Sequence, residues 1–426
     1  MNTYLPTFGG RLYASLLFCL LTCFSSDLMA THTMGADITY ECIGNGQYRV
    51  TLTLFRDCTG ILPLTSQTLE YRSATCGVNA SINLVQPAGG PIDVTPLCPT
   101  EISDCAGGNV GFGFEQYTYS GVLNLPPGCG DDWVLGWENC CRNFAITTLN
   151  NPGNQSTYIS ALLDNTQTPC NNSPVFNNIP TPIVCINQPV IYNHGVTDPD
   201  GDSLVFSLTN CQQDFGISVG YAGGFNAATP LASSTGVNIN TTTGELTFTP
   251  NLLQIGVICV LVEEYRNGVK IGEAVRDMQF SVINCANVPP IASGVNGNTT
   301  DYDLDLCAGG QVCFDILISD PDGDQVNASW NGGIAGGTLV ISNNGTTAPT
   351  ATFCWQPTPA DIGTHFFTIT VEDDNCPLNG AATYAFTLNV TGSAQTITVS
   401  PDQTVCAGQS AGISASGINV TDYSWS

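Results

Sequence analysis

The chain has 426 residues, with 35 acidic against 8 basic side chains and a formal charge of −27 at neutral pH. A field of that sign excludes nucleic acid and anionic membrane surfaces as partners. Charged residues are only 10% of the total and apolar residues 42%, which excludes a disordered acidic tail and suffices for several cores; the length suggests about three domains.

In chain order, Arg11 precedes an apolar run from Leu12 to Phe24, and Ala30 offers a cleavage point before Thr31. Residues 1–30 therefore read as an export signal, too short to span a bilayer. Lipoprotein processing at Cys23 competes with it, but Thr22 is a weak match to the small residue such processing prefers. No later stretch approaches 18 consecutive apolar residues, so no membrane span is expected after it, and outer-membrane anchoring would need a part beyond Ser426. Cysteine usage agrees with export: Cys19 and Cys23 fall in the signal, leaving 18 of the 20 cysteines between Cys42 and Cys406. No CxxC pair occurs, and His32, His194 and His365 lie far apart, so disulfides are expected rather than zinc.

The next part opens with a hairpin in which Ile38, Tyr40 and Cys42 alternate with polar residues, Gly44-Asn45-Gly46 turns, and Tyr48, Val50, Leu52 and Leu54 alternate again. A two-residue turn would set Val50 against Glu41. A three-residue loop pairs Tyr40 with Val50 and Ile38 with Leu52, apolar against apolar, and is the register expected. Strands are further expected over Gly113 to Val122, Trp133 to Trp137, Phe144 to Leu149 and Thr157 to Leu163, punctuated by Pro-Gly turns. Residues 31–172 thus read as one cysteine-rich β domain. Cys140 and Cys141, taken as neighbours on a strand, would point to opposite faces and each bond elsewhere. Trp133 and Trp137 would share a face, as core in preference to a carbohydrate platform.

Residues 173–285 and 286–392 repeat one another. Cys185 and Cys307 each lie 13 residues before an identical turn, Asp198-Pro199-Asp200-Gly201-Asp202 and Asp320-Pro321-Asp322-Gly323-Asp324. After each come a strand (Leu204 to Leu208; Val326 to Trp330), a second before proline (Leu246 to Pro250; Ala351 to Pro357), an Ile-Gly pair, and an apolar strand running into adjacent acids. Those acids are Glu263-Glu264 and Glu372-Asp373. Short strands at this spacing, with no 3.6-residue periodicity, make the fold all-β: a disulfide-rich β domain followed by tandem Ig-like sandwiches. A third unit starts near Ser393, where Cys406-Ala407-Gly408 restates Cys307-Ala308-Gly309, and residues 393–426 are too few to complete it. A longer product is expected.

Three carboxylates at alternate positions repel one another unless a hard cation with oxygen ligands sits between them, and calcium is the candidate cofactor. The competing reading is a solvated type I turn. An EF-hand is excluded, because the positions that need Gly and Glu hold Ser203 and Thr209 in the first copy and Gln325 and Asn331 in the second. The missing ligands would come from Glu263 and Glu264, and from Glu372 and Asp373, at the same pole of each sandwich.

Gly35-Ala36-Asp37-Ile38-Thr39-Tyr40-Glu41-Cys42, Phe55-Arg56-Asp57-Cys58, Trp137-Glu138-Asn139-Cys140-Cys141-Arg142-Asn143 and Asn151-Pro152-Gly153-Asn154-Gln155-Ser156 resemble the head of large surface proteins of gliding bacteria. The repeats, with their acidic turns and Val262-Glu263-Glu264-Tyr265-Arg266-Asn267-Gly268, are similar to cadherin-like domains. The last unit, with Cys406 and Tyr423-Ser424-Trp425, resembles the start of a PKD-type domain. The resemblance implies export, often by the type IX route, and placement on the outer-membrane surface or in the medium. It implies little biochemistry.

From the repeat, Cys313 falls in the second strand and Cys354 in the fifth strand of an Ig-like sheet and should bond. Cys211 and Cys259 would pair likewise, leaving Cys285 and Cys376 as candidates for Cys185 and Cys307. No HExxH, GxSxG, phosphate loop or dinucleotide fingerprint occurs, and His194 and His365 read as structural, so no enzyme is expected. Two functions stand: a non-catalytic adhesin or extended stalk with a protein or glycan ligand, or the accessory region of a larger secreted hydrolase.

Overall fold

Alternating burial builds the first hairpin, Thr33–Gly44 with Gln47–Asp57, in the expected register: Tyr40 faces Val50 and Ile38 faces Leu52, all buried. The computed structural model describes residues 32–126, 128–180, 183–298, 301–393, 396–400, 412 and 414–418. The export segment with Cys19 and Cys23, and Cys406 and Tyr423 to Trp425 of the last unit, lie outside them.

From the hairpin the hydrogen-bonded path runs through Phe114–Asn124, Val78–Val85, Ser66–Ser73, Trp133–Asn139 and Thr157–Leu163. It then returns to Thr33–Gly44 through Val269–Ile283, a strand more than a hundred residues further along the chain. The path therefore closes on itself as an eight-stranded barrel whose last stave belongs to the first sandwich. Ile38, Val50, Leu52, Tyr119, Trp133, Leu135 and Trp137 pack among its buried residues. Trp133 and Trp137 are core: their indole N–H groups donate to the Cys129 carbonyl and the Gln67 amide oxygen.

The same Val269–Ile283 strand pairs with Gln254–Arg266, which pairs with Ser203–Thr209, while Ile183–Cys185 runs parallel beside it. This sheet faces a second one, Val190–Asn193, Glu245–Phe248 and Asn238–Ile239, across Phe206, Phe248, Val260 and Phe280. The following sandwich repeats the plan. One sheet holds Ile291–Ala292, Val312–Ser319, Thr350–Trp355 and Thr338–Ser342; the other holds Asp303–Ala308, Ala381–Ser393, Gly363–Asp373 and Val326–Trp330. Phe353, Phe367 and Phe386 stack through the layer between them. The chain is all-β, with no α-helix among the described residues.

The barrel and both sandwiches are braced together. Arg142 meets Asp277 at 2.5 Å with each side chain 2% exposed, and the equally buried Arg276 lies 3.1 Å from Asp37 on the first strand. Eight disulfides among the described residues fit an oxidising compartment. Cys313–Cys354, Cys211–Cys259 and Cys185–Cys285 form as expected.

Three expectations are corrected. Cys140 and Cys141 bond to each other: the strand ends at Asn139, so the alternation that would separate them does not apply. Cys376 bonds Cys98 of the barrel, where the segments 96–98 and 377–379 also exchange backbone hydrogen bonds. Cys307 is left free and exposed, because its strand partner is Thr391 and the position matching Cys285, two residues beyond the partner, is Ser393. Finally, Phe144 to Leu149 is not a strand: the Asn143 amide oxygen turns the chain by accepting from the Ala145 N–H, and Ile146 and Leu149 pack on Cys211 and Cys259 instead.

Candidate acidic turn sites

Each Asp-Pro-Asp-Gly-Asp turn is wound about its first aspartate. Asp198 Oδ1 accepts from the N–H groups of Asp200 and Asp202, both at 2.9 Å. Asp320 Oδ1 does the same for Asp322 at 2.8 Å and Asp324 at 3.1 Å. Gly201 and Gly323, at φ 80° and 85°, supply the left-handed turn residue. In both turns the other oxygen of the first aspartate, Oδ2, is buried without a partner.

In the first sandwich, Asp198, Asp202 and Glu264 bring carboxylate oxygens within 4.8 Å of one another. Glu264 is fully buried and its Oε2 has no partner; its Oε1 accepts from the Asn171 amide at 2.7 Å. Burial pushes Glu264 up to about 9, with the Asp198 charge adding to it, and burial pushes Asp198 up to about 6. Glu263, on the opposite face of the strand, does not join them: it pairs with Lys270 at 2.8 Å. Asp200 is held by the backbone and side-chain amides of Asn172 at 2.9 and 2.8 Å.

In the second sandwich, the close trio is Asp320, Asp322 and Asp324. Asp373 takes the place of Glu264, as the strand register shows: Leu204 faces Glu264, and Val326, two residues past Asp324, faces Asp373. Its carboxylate is buried among the Asn287 amide, at 3.0 and 3.1 Å, and the N–H groups of Asn375 and Gly380. Burial again dominates and lifts Asp373 to about 6. Glu372 points away and accepts from Asn379 at 2.7 Å.

Sequence reasoning missed Asn171 and Asn287. They stand at the same place in the two linkers, each donating to the strand acid, and the N–H of the following residue donates to Asp200 or Asp322. The signal was legible as an Asn just past a cysteine and before proline in both linkers, Cys170-Asn171-Asn172-Ser173-Pro174 and Cys285-Ala286-Asn287-Val288-Pro289. Each acidic turn therefore reaches back to the segment that leads into its own sandwich. A cavity of about 630 Å³ opens beside the second turn and has Asn287, Asp322 and Asn375 in its wall.

Of the remaining clusters of metal-ligating residues, Cys58, Cys105 and Glu115, and Cys211, Cys259 and Asp277, have their sulfurs in disulfides. His194 is buried against Tyr192 and Phe176 and held well below the ordinary histidine range, mainly by burial. His365 meets the Asp361 carbonyl at 2.8 Å.

No protein-family model matches the chain, and no curated protein does. Among solved structures, it is similar to an endo-fucoidan hydrolase of glycoside hydrolase family 107, at 14% identity and a TM-score of 0.21 over 78% of this chain. The chain spans 43% of that hydrolase. A titin Ig-domain tandem aligns at 10% identity and a TM-score of 0.19, over 50% of this chain and 93% of that one. Domains 4 and 5 of the S-layer protein SbsC align at 13% and 0.16, over 49% and 99%.

Proposed function

We propose that the chain is a non-catalytic secreted or cell-surface protein, an adhesin or extended stalk of the gliding-bacterial type, whose sandwiches are stiffened by calcium at their acidic turns. The observation that supports this reading is the bracing. One strand serves both barrel and sandwich, a disulfide ties the barrel to the second sandwich, and each acidic turn is bonded to the linker before it. Such an object holds its ends at a set distance.

The donor set suits a hard cation: carboxylate and amide oxygens, several already in place, with Asp198 Oδ2, Glu264 Oε2, Asp320 Oδ2 and Asn287 Oδ1 buried and unpartnered. A bound calcium would supply charge to these acids. The chain's own residues orient them, through the turn N–H groups and the Asn171 and Asn287 amides. The non-catalytic reading draws on His194 and His365, which are spent on packing and a backbone carbonyl.

The test is deletion of the coding gene in its host, scored for surface adhesion and gliding and complemented in trans, with antibody labelling of intact cells. Loss of adhesion or gliding, with surface labelling of the complemented strain, is expected. Normal adhesion and gliding in the deletant, or labelling only after lysis, overturns the reading.

A further inference from the structure

The two acidic turns are built on one plan but differ at one position that decides their charge. Counting from the paired strand acids, Glu264 and Asp373, the residue two further on is Arg266 in the first sandwich and Asn375 in the second. Both side chains donate to the last aspartate of their turn: Arg266 to both oxygens of Asp202, with Nε at 2.7 Å, and Asn375 to Asp324 Oδ2 at 3.0 Å. Arg266 also reaches Asp200 at 3.3 Å and the Asn171 amide oxygen at 2.9 Å.

We infer that Arg266 is the resident cation of the first turn, so that the first sandwich needs no metal there while the second must recruit one. The inference rests on the calcium reading of the turns and sharpens it to one ion per sandwich pair. In the first turn both oxygens of Asp202, both of Asp200 and Asn171 Oδ1 already receive N–H donors, leaving Asp198 Oδ2 and Glu264 Oε2. Two oxygens fall far short of the roughly six to eight that calcium takes. A guanidinium has five donors and no acceptor, so Arg266 cannot turn into a ligand, and its charge repels an incoming ion.

The second turn has no basic residue among these contacts. Asp320 Oδ2 and the amide oxygen of Asn287, itself 7% exposed, are buried and unpartnered. Asp322 and Asp324 receive their donors, the Val288 N–H and the Asn375 amide, on Oδ2, so that Oδ1 of each stays open to a ligand or to water-mediated contact where the first turn has all four such oxygens occupied. Asn375 presents an amide, which carries an oxygen as well as the donors. The four acids Asp320, Asp322, Asp324 and Asp373 therefore face a neutral group where the first turn faces a cation.

The experiment is equilibrium dialysis of the full chain against calcium, with melting temperatures measured in calcium and in chelator. Wild type is expected to bind one ion at the turns and to melt higher in calcium. Asn375→Arg should bind none and lose that rise without melting below chelated wild type, since the new guanidinium replaces the ion. Arg266→Asn should bind two. Two equivalent ions on wild type, calcium retained by Asn375→Arg, or a folded Arg266→Asn that still binds one would overturn the inference while leaving the calcium reading intact. No calcium on wild type or on either variant would overturn that reading itself.

Discussion

Removing the carboxylate of Asp277 should cost more than any surface substitution in the chain. Arg142 crosses from the barrel to the strand Val269–Ile283, placing Nη1 and Nη2 at 3.2 and 2.5 Å from the two Asp277 oxygens. Its Nε and the other Nη2 hydrogen go to the Ser156 and Gln212 carbonyls, each at 3.1 Å. With both side chains 2% exposed, Asp277→Ala strands a desolvated guanidinium on two neutral acceptors, at about 3 to 5 kcal/mol. In a unit of this size that is roughly 6 to 20 °C of melting temperature. Arg142→Met with Asp277→Leu removes both charges and should recover most of the loss, because filling the site with apolar groups avoids the desolvation penalty. A double-mutant cycle by chemical denaturation, run at low and high salt, measures this. Exposed Glu41 and Arg49, 60% and 50% exposed, serve as the salt-sensitive control pair. A loss below about 1 kcal/mol for Asp277→Ala, or a double variant no better than the single, would refute the reasoning.

Two further outcomes follow. His194 has a folded pKa depressed by burial, so the unfolded chain takes up a proton near pH 6.5 that the folded one does not; its own contribution to stability should hold above that pH and fall below it, by up to about 1.4 kcal/mol per unit. That slope runs against the opposite one of the raised Glu264, Asp198 and Asp373, and is read as the difference between wild type and variant. His194→Phe should remove that slope, and an unchanged difference between pH 7 and pH 5 would count against it. At Gly272 a methyl group would collide with Glu264 Oε2 and lie 3.0 Å from the Tyr40 hydroxyl, so Gly272→Ala should destabilise by about 1 to 3 kcal/mol in thermal melts, and a neutral result would show that Glu264 can move aside.

Local pattern made much of this architecture legible. Alternation in Ile38 to Leu54 decided the hairpin, because slipping one residue would have turned every apolar side chain outward. The sandwich repeat located Cys313 opposite Cys354, which are register partners on adjacent strands. Features resting on contacts between blocks were not legible: nothing in the neighbourhood of Cys376 points to Cys98, and nothing in Val269 to Ile283 shows a strand bonded to two different domains. At the turns, the aspartates and Glu264 were readable from spacing. Glu263 and Glu372 were assigned by adjacency, although neighbours on a strand face opposite ways.

The Cys98–Cys376 bridge also sets the path that tension would take through the molecule. The cross-link encloses 277 residues in a covalent ring, so a pull between the N-terminal hairpin and the end of the second sandwich passes through the sulfur atoms and leaves the enclosed chain slack. The whole first sandwich, four of the eight barrel strands and all but the last strand of the second sandwich lie inside that ring. Unravelled with the nested bridges Cys185–Cys285, Cys211–Cys259 and Cys313–Cys354 reduced as well, the ring would release roughly 900 Å of length. Single-molecule stretching should show that extension only after reduction. Under load, the strands outside the ring, the first four of the barrel and Ala381–Ser393 of the second sandwich, would meet the tension before the chain enclosed by the bridge.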